Sequence, residues 1–198
     1  MKKNRLEAFS DGVIAILITI MVLELKVPHG DNIREILALW PVLLSYVLSF
    51  VYIGIYWNNH HHMLYAVRTI NGKALWANHN LLFWLSLIPF VTGWMGENNF
   101  TKWPVVAYGV VLLMNAIAYS ILSMILVRHE GDGSALAKAV GEDWKGKLSL
   151  VVYAVAIGLA FVLPQLSMVL YAVVAVIWFI PDKRIERHVG GNHSGAED

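Results

Sequence analysis

Apolar stretches separated by short polar ones dominate the chain. They fall at about residues 12–27, 38–57, 75–95, 104–127, 147–163 and 166–181, each near the ~20 residues a helix needs to cross a bilayer. With their flanking turns they predict six transmembrane helices, at about 6–27, 38–62, 75–96, 104–128, 146–163 and 166–181. These form one transmembrane domain, residues 1–188, followed by a polar tail, 189–198, expected to be disordered. Leu148 to Pro181 is nearly continuous and broken only around Pro164-Gln165. A single helix there would run about 51 Å against a hydrocarbon core of about 30 Å, so two short spans and a tight turn fit better. The first span ends in Glu24-Leu25-Lys26-Val27-Pro28 with no small-residue cleavage site, and reads as a retained helix rather than a signal peptide.

Charge orients the spans. With the N-terminus cytoplasmic, the inner segments hold Lys2, Lys3, Arg5, Arg68, Lys73, Arg128, Lys138, Lys145, Lys147, Lys183, Arg184 and Arg187. The outer ones hold only Lys26, Arg34 and Lys102, a ratio of twelve to three. The expectation is an all-α, multi-pass protein of the cell membrane with both termini cytoplasmic. Residues 128–147 form an inner loop, with a short amphipathic helix expected around 135–144. Composition agrees: 58% of the 198 residues are hydrophobic and 15% charged, where a soluble domain carries about a quarter charged residues. The net charge of +1 is uninformative about nucleic acid, no basic block suggests such a partner and none is expected, and the absence of cysteine removes thiolate chemistry.

Three polar stretches meet at the cytoplasmic face: Arg5, Ser10 and Asp11 at the start of span 1, YWNNHHHML (56–64) at the end of span 2, and LWANHNLLFW (75–84) at the start of span 3. An acid near the hydrocarbon boundary seeks a partner inside the bundle. The candidates for Asp11 are Asn59, His60, His61, His79 and Asn80. Consecutive helical residues project about 100° apart, so His60, His61 and His62 do not all face one ion. A hydrogen-bond network tying spans 1, 2 and 3 together is expected in preference to a metal site, and no cofactor is expected.

On span 1, Gly12, Ile16, Thr19, Leu23 and, less centrally, Ile20 share a face, and Asp11 projects away from it. Spacing alone favours helix packing or lipid contact for this stripe over a pore. No Ser/His/Asp arrangement or phosphate loop specifies an enzymatic reaction. A secondary transporter of a small solute or ion and a histidine-based metalloprotein stay open as alternatives.

The stretch RLEAFSDGVIAILIT, with Arg5, the Phe9-Ser10-Asp11 triplet and Thr19 eight residues after the acid, resembles the transmembrane protein 175 family of potassium channels. The six-span plan and the His/Asn-rich end of span 2 are similar too. One set of six spans, where animal members carry two, is similar to the prokaryotic type. The resemblance implies a homotetramer with four first helices lining a central pore and potassium, among monovalent cations, as the permeant ion. It matches Ile16 to the narrowest point, Leu23 to a second apolar layer and Thr19 to the polar layer, and Ile20, less central on the same face, is expected in the constriction with Ile16 and Leu23. Ala15 departs from the pattern, standing where animal members carry serine, and removes a second hydroxyl ring. No TVGYG-type filter is present. Glu24 then falls near the outer mouth, and Arg5, Phe9, Ser10, Asp11, Asn59, His60, His61, His79 and Asn80 become supports that hold span 1 at its rotation.

Overall fold

The computed structural model describes residues 3–131, 133, 134, 136, 137, 141 and 144–179. The expected disordered tail and most of the expected loop helix around 135–144 lie outside the described residues. Every regular element within them is helical: α1 (Lys3–Met21), a 3-10 turn (Val22–Glu24), α2 (Ile33–Ala38), α3 (Trp40–Tyr65), α4 (Gly72–Ser86), α5 (Ile88–Glu97), α6 (Lys102–Glu130), α7 (Trp144–Leu159) and α8 (Pro164–Phe179). Four stretches are long and apolar enough to cross a membrane: Lys3–Glu24, Trp40–Tyr65, Gly72–Glu97 and Lys102–Glu130. The chain is a multi-pass membrane protein. At 16 residues each, α7 and α8 are about 24 Å long, shorter than a typical hydrocarbon core.

Local chemistry sets the ends. Asn32 and Asn71 cap α2 and α4 by accepting the amides of Arg34 and Ala74 at 3.0 and 2.8 Å. Pro41 and Pro164 lie in the first turns of α3 and α8, where a missing N–H costs nothing. Pro89 interrupts the third long stretch. It donates no bond to Leu85, the chain turns at Leu87, and α5 continues the path of α4. Asn115 of α6 reaches this break and donates to the Trp84 carbonyl at 3.2 Å.

Helix contact in a bilayer rests on close packing and internal hydrogen bonds, because lipid is as apolar as the helix faces. Two glycines show how close. A Cβ at Gly96 would lie 2.8 Å from the Val42 Cα, which lets α5 approach α3. At Gly109 it would land on the Tyr171 hydroxyl, so α6 receives the ring of α8 only because position 109 is bare. Tyrosine fills the interior, and each buried hydroxyl needs a partner. Tyr52 donates to the Tyr171 carbonyl (2.6 Å), Tyr153 to the Tyr52 hydroxyl (3.2 Å) and Tyr171 to the Val105 carbonyl (3.3 Å). Tyr108, Ser49 and Thr92 join through contacts of 2.9 and 2.6 Å. Against this bundle, α1 rests at one side on α3, α4 and α5.

Candidate functional site

Helix α1 divides cleanly into two faces. Leu6, Ser10, Ile14, Leu17 and Met21, spaced three and four apart, are buried. Ala8, Gly12, Ala15, Ile16, Thr19, Ile20 and Leu23 are exposed, along with Asn4, Arg5, Phe9, Val22 and Glu24. The exposed apolar side chains are large fractions of their full surface: 57% for Ile16, 41% for Ile20 and 77% for Leu23.

The buried face carries one polar residue, and it organises the N-terminal half of the site. Ser10 donates to the Leu6 carbonyl at 2.9 Å and accepts from Asn78 Nδ2 at 2.9 Å. Asn78 Oδ1 lies 2.7 Å from His60 Nε2. Because that oxygen only accepts, His60 carries its proton on Nε2. Its Nδ1 is then an acceptor, and it has no partner among the described residues. Ser10, Asn78 and His60 thus pin α1, α4 and α3 together with all three side chains buried.

Asp11 lies one position off this face and is partly exposed. Its carboxylate accepts from Trp57 Nε1 at 3.0 Å, a partner outside the set of histidines and asparagines expected for it. His61 Nδ1 lies 3.3 Å from Glu7 Oε1, and the His61 ring stacks on Trp57. Phe9 stacks on His79, whose Nδ1 donates to the Leu75 carbonyl at 2.8 Å. Asn59 turns back to the Ile55 carbonyl at 2.8 Å. Asn80 and Arg5 are exposed, and neither side chain makes a hydrogen bond or ion pair among the described residues.

Asn78 and Trp57 carry central contacts that the sequence reading passed over. A signal for Asn78 was present. It shares the apolar stripe of α4 with Ala74, Ala77, Leu81, Leu82 and Leu85, where a lone amide demands a buried partner. His79 and Asn80 lie off that stripe. No comparable signal marked Trp57.

On the exposed face, Thr19 Oγ1 donates back to the carbonyls of Ile16 (2.9 Å) and Ala15 (3.2 Å). Its proton is used within the helix, so what the side chain offers outward is oxygen lone pairs, a cation-compatible group. Beyond it, Glu24 is exposed with its carboxylate against α5: a Cβ on Gly93 would meet Glu24 Oε2 at 2.9 Å. Lys26 pairs with Glu97 of α5 at 2.5 Å, and that carboxylate raises the Lys26 pKa through its hydrogen bond and charge, with a smaller contribution from Glu24. Among the described residues, no group of three or more histidine or acidic side chains is placed to hold a metal ion.

Comparison with known proteins places these features in a lineage. The family described as endosomal/lysosomal potassium channel TMEM175 matches residues 5–89, the stretch from α1 to the start of α5 that builds the site. A protein named a potassium channel from Chryseobacterium sp. (strain P1-3) is 50% identical over 192 residues, covering 97% of this chain and all of the relative. Another, from Streptomyces collinus, is 30% identical over 188 residues, covering 89% of this chain and 91% of the relative. The crystal structure of a lysosomal potassium-selective channel TMEM175 homolog from Chamaesiphon minutus superposes with a TM-score of 0.78 at 30% identity, covering 89% of this chain and 96% of that one. The chain belongs to the endosomal/lysosomal potassium channel TMEM175 family.

Proposed function

We propose that the chain is the subunit of a homotetrameric, potassium-permeable cation channel of the cell membrane, with six spans, both ends cytoplasmic, and four copies of α1 around a central pore. The observation that carries this reading is the two-faced α1. One side is pinned by Ser10, Asn78 and His60, and the other is exposed along the helix. Four such faces around an axis give apolar rings at Ile16, Ile20 and Leu23. Rings of this kind hold back ions by excluding water, and a small widening rehydrates them. Thr19 supplies the polar layer with outward lone pairs, which partly replace the waters an ion sheds. Potassium surrenders its hydration more readily than sodium and is the ion favoured. Glu24 lies near the outer mouth, with part of its field offset by Lys26. Arg5, Phe9, Asp11, Asn59, His61, His79 and Asn80 complete the cytoplasmic support.

The short α7 and α8 count as the fifth and sixth spans. The turn between them, Ala160 to Leu163, is apolar, and local thinning or snorkelling accommodates short helices at modest cost. The names and titles of the relatives support potassium as the ion.

The test is passive cation flux into liposomes holding the purified protein, with potassium and sodium compared. Ile16→Asn puts a hydrated amide in the narrowest apolar ring. It should raise basal leak about tenfold, the equivalent of ~1.4 kcal/mol off the barrier, and lower the potassium-to-sodium ratio. A folded wild-type tetramer with no passive cation flux refutes the reading.

A further inference from the structure

The end of α6 grips the loop between α3 and α4. Glu130 Oε1 accepts the amides of Arg68 (3.0 Å) and Thr69 (3.4 Å). His129 Nε2 lies 3.1 Å from Thr69 Oγ1, and its Nδ1 lies 3.2 Å from Asn71 Nδ2. The same Asn71 caps α4, its Oδ1 accepting from the Ala74 amide at 2.8 Å.

These contacts select one tautomer of the neutral ring. The cap assigns the oxygen of Asn71, so the group facing His129 is an amide NH₂, which only donates. Nδ1 must therefore hold a lone pair, and Nε2 carries the proton and donates to Thr69. An imidazolium would set a second N–H against that NH₂. Rotating the amide to present its oxygen would satisfy His129 and take the cap from α4.

We propose that His129 is a pH-responsive clasp: neutral, it secures the α3–α4 loop and the N-cap of α4; protonated on Nδ1, it releases Asn71 and loosens the first turns of α4. Its consequence for conduction rests on the channel reading. Asn78, which holds Ser10 of α1, lies seven residues after Asn71, so loosening at the α4 start reaches the helix assigned to the pore. Among the described residues, the charged groups next to the clasp along the chain are Arg128 and Glu130 on α6, Arg68 in the loop and Lys73 in the first turn of α4. Lys3 of α1 donates to the end of α3 at Tyr65 O. His79 on α4 already donates from Nδ1 to Leu75, so protonating its other nitrogen leaves that bond intact.

The experiment is amide hydrogen exchange on the full chain in lipid nanodiscs at about pH 7.5 and about pH 5.5, which brackets the ordinary imidazole range, read as protection relative to the intrinsic rate. Acidification should lower protection of residues 72–78 in the wild type about fivefold, the loss expected for one N-cap. Asn71→Asp keeps an oxygen on Ala74 and offers the second to a protonated His129, so acidification should leave protection unchanged or raise it. His129→Gln should make it independent of pH. Unchanged protection in the wild type, or an equal loss in Asn71→Asp, overturns the clasp. Potassium flux under acidification of the cytoplasmic side reads the coupling. A pH response identical in wild type and Asn71→Asp, with the exchange result intact, overturns the link to α1. A protein that passes the exchange test and conducts nothing refutes the channel reading and leaves the clasp standing.

Discussion

Replacing Asn78 with leucine isolates the contact that anchors α1. The side chains are near in size, so little is lost in packing and the effect is chiefly polar. Two partners are affected unequally. Ser10 keeps its donation to Leu6 and loses only an incoming bond. His60 loses the acceptor of its Nε2 proton, and because Nδ1 has no partner, the buried ring is left without any hydrogen bond. A buried donor stripped of its acceptor costs about 1–3 kcal/mol in a protein interior, while polar contacts between membrane helices average nearer 0.6 kcal/mol because the separated helices find other partners. The loss in Asn78→Leu should be about 1–3 kcal/mol, nearly all of it from His60. A double-mutant cycle with His60→Leu, read by reversible unfolding in mixed micelles, separates the terms. With the histidine gone, the second substitution should cost well under 1 kcal/mol. Equal costs for Asn78→Leu in the presence and absence of His60 would refute the reasoning, because the energy would then lie elsewhere than in this pair.

Gly109→Ala should destabilise the protein by about 1–3 kcal/mol, since its Cβ lands on the Tyr171 ring and on Ile157, whereas Gly158→Ala on α7 meets nothing within 4 Å and should be neutral or mildly stabilising; equal melting shifts for the two would count against the close α6–α8 contact. Glu97→Gln removes the group that holds the Lys26 pKa up. The stability this pair contributes is present below the ordinary lysine range and lost as pH rises through the raised value, so any wild-type advantage in melting temperature should be small at neutral pH and vanish on strong alkalinisation. An advantage that grows with alkalinity would reverse the sign. The leak expected of Ile16→Asn and the exchange pattern expected of Asn71→Asp test the proposed pore face and the proposed clasp in the same protein.

Much of the helical framework was legible because a bilayer leaves the backbone few choices. Every peptide group in hydrocarbon must bond within its own helix, so long apolar runs become helices, and prolines and capping asparagines mark their ends. The stripe Gly12–Ile16–Thr19–Leu23 was equally legible, since it depends only on 100° per residue, and the structure leaves that whole face exposed. The partners within the polar cluster at the start of α1 were not. Ser10 and Asp11 are adjacent, and a rotation of one residue decides which enters the interior. The structure buries the hydroxyl and leaves the acid at the edge with Trp57.

The sequence by itself determined a membrane protein of apolar helices, the two faces of the first, and the resemblance to its family, all of which are written in local spacing and in one motif. Only the tertiary structure decided that Asn78 joins Ser10 to His60, that the Glu24 carboxylate lies against Gly93, that Tyr171 occupies the space left by Gly109, and that His129 closes on the cap of α4. Each of these depends on the rotation and separation of helices distant in sequence, set in part by glycines at which two backbones or rings meet, and neither periodicity nor composition carries that information.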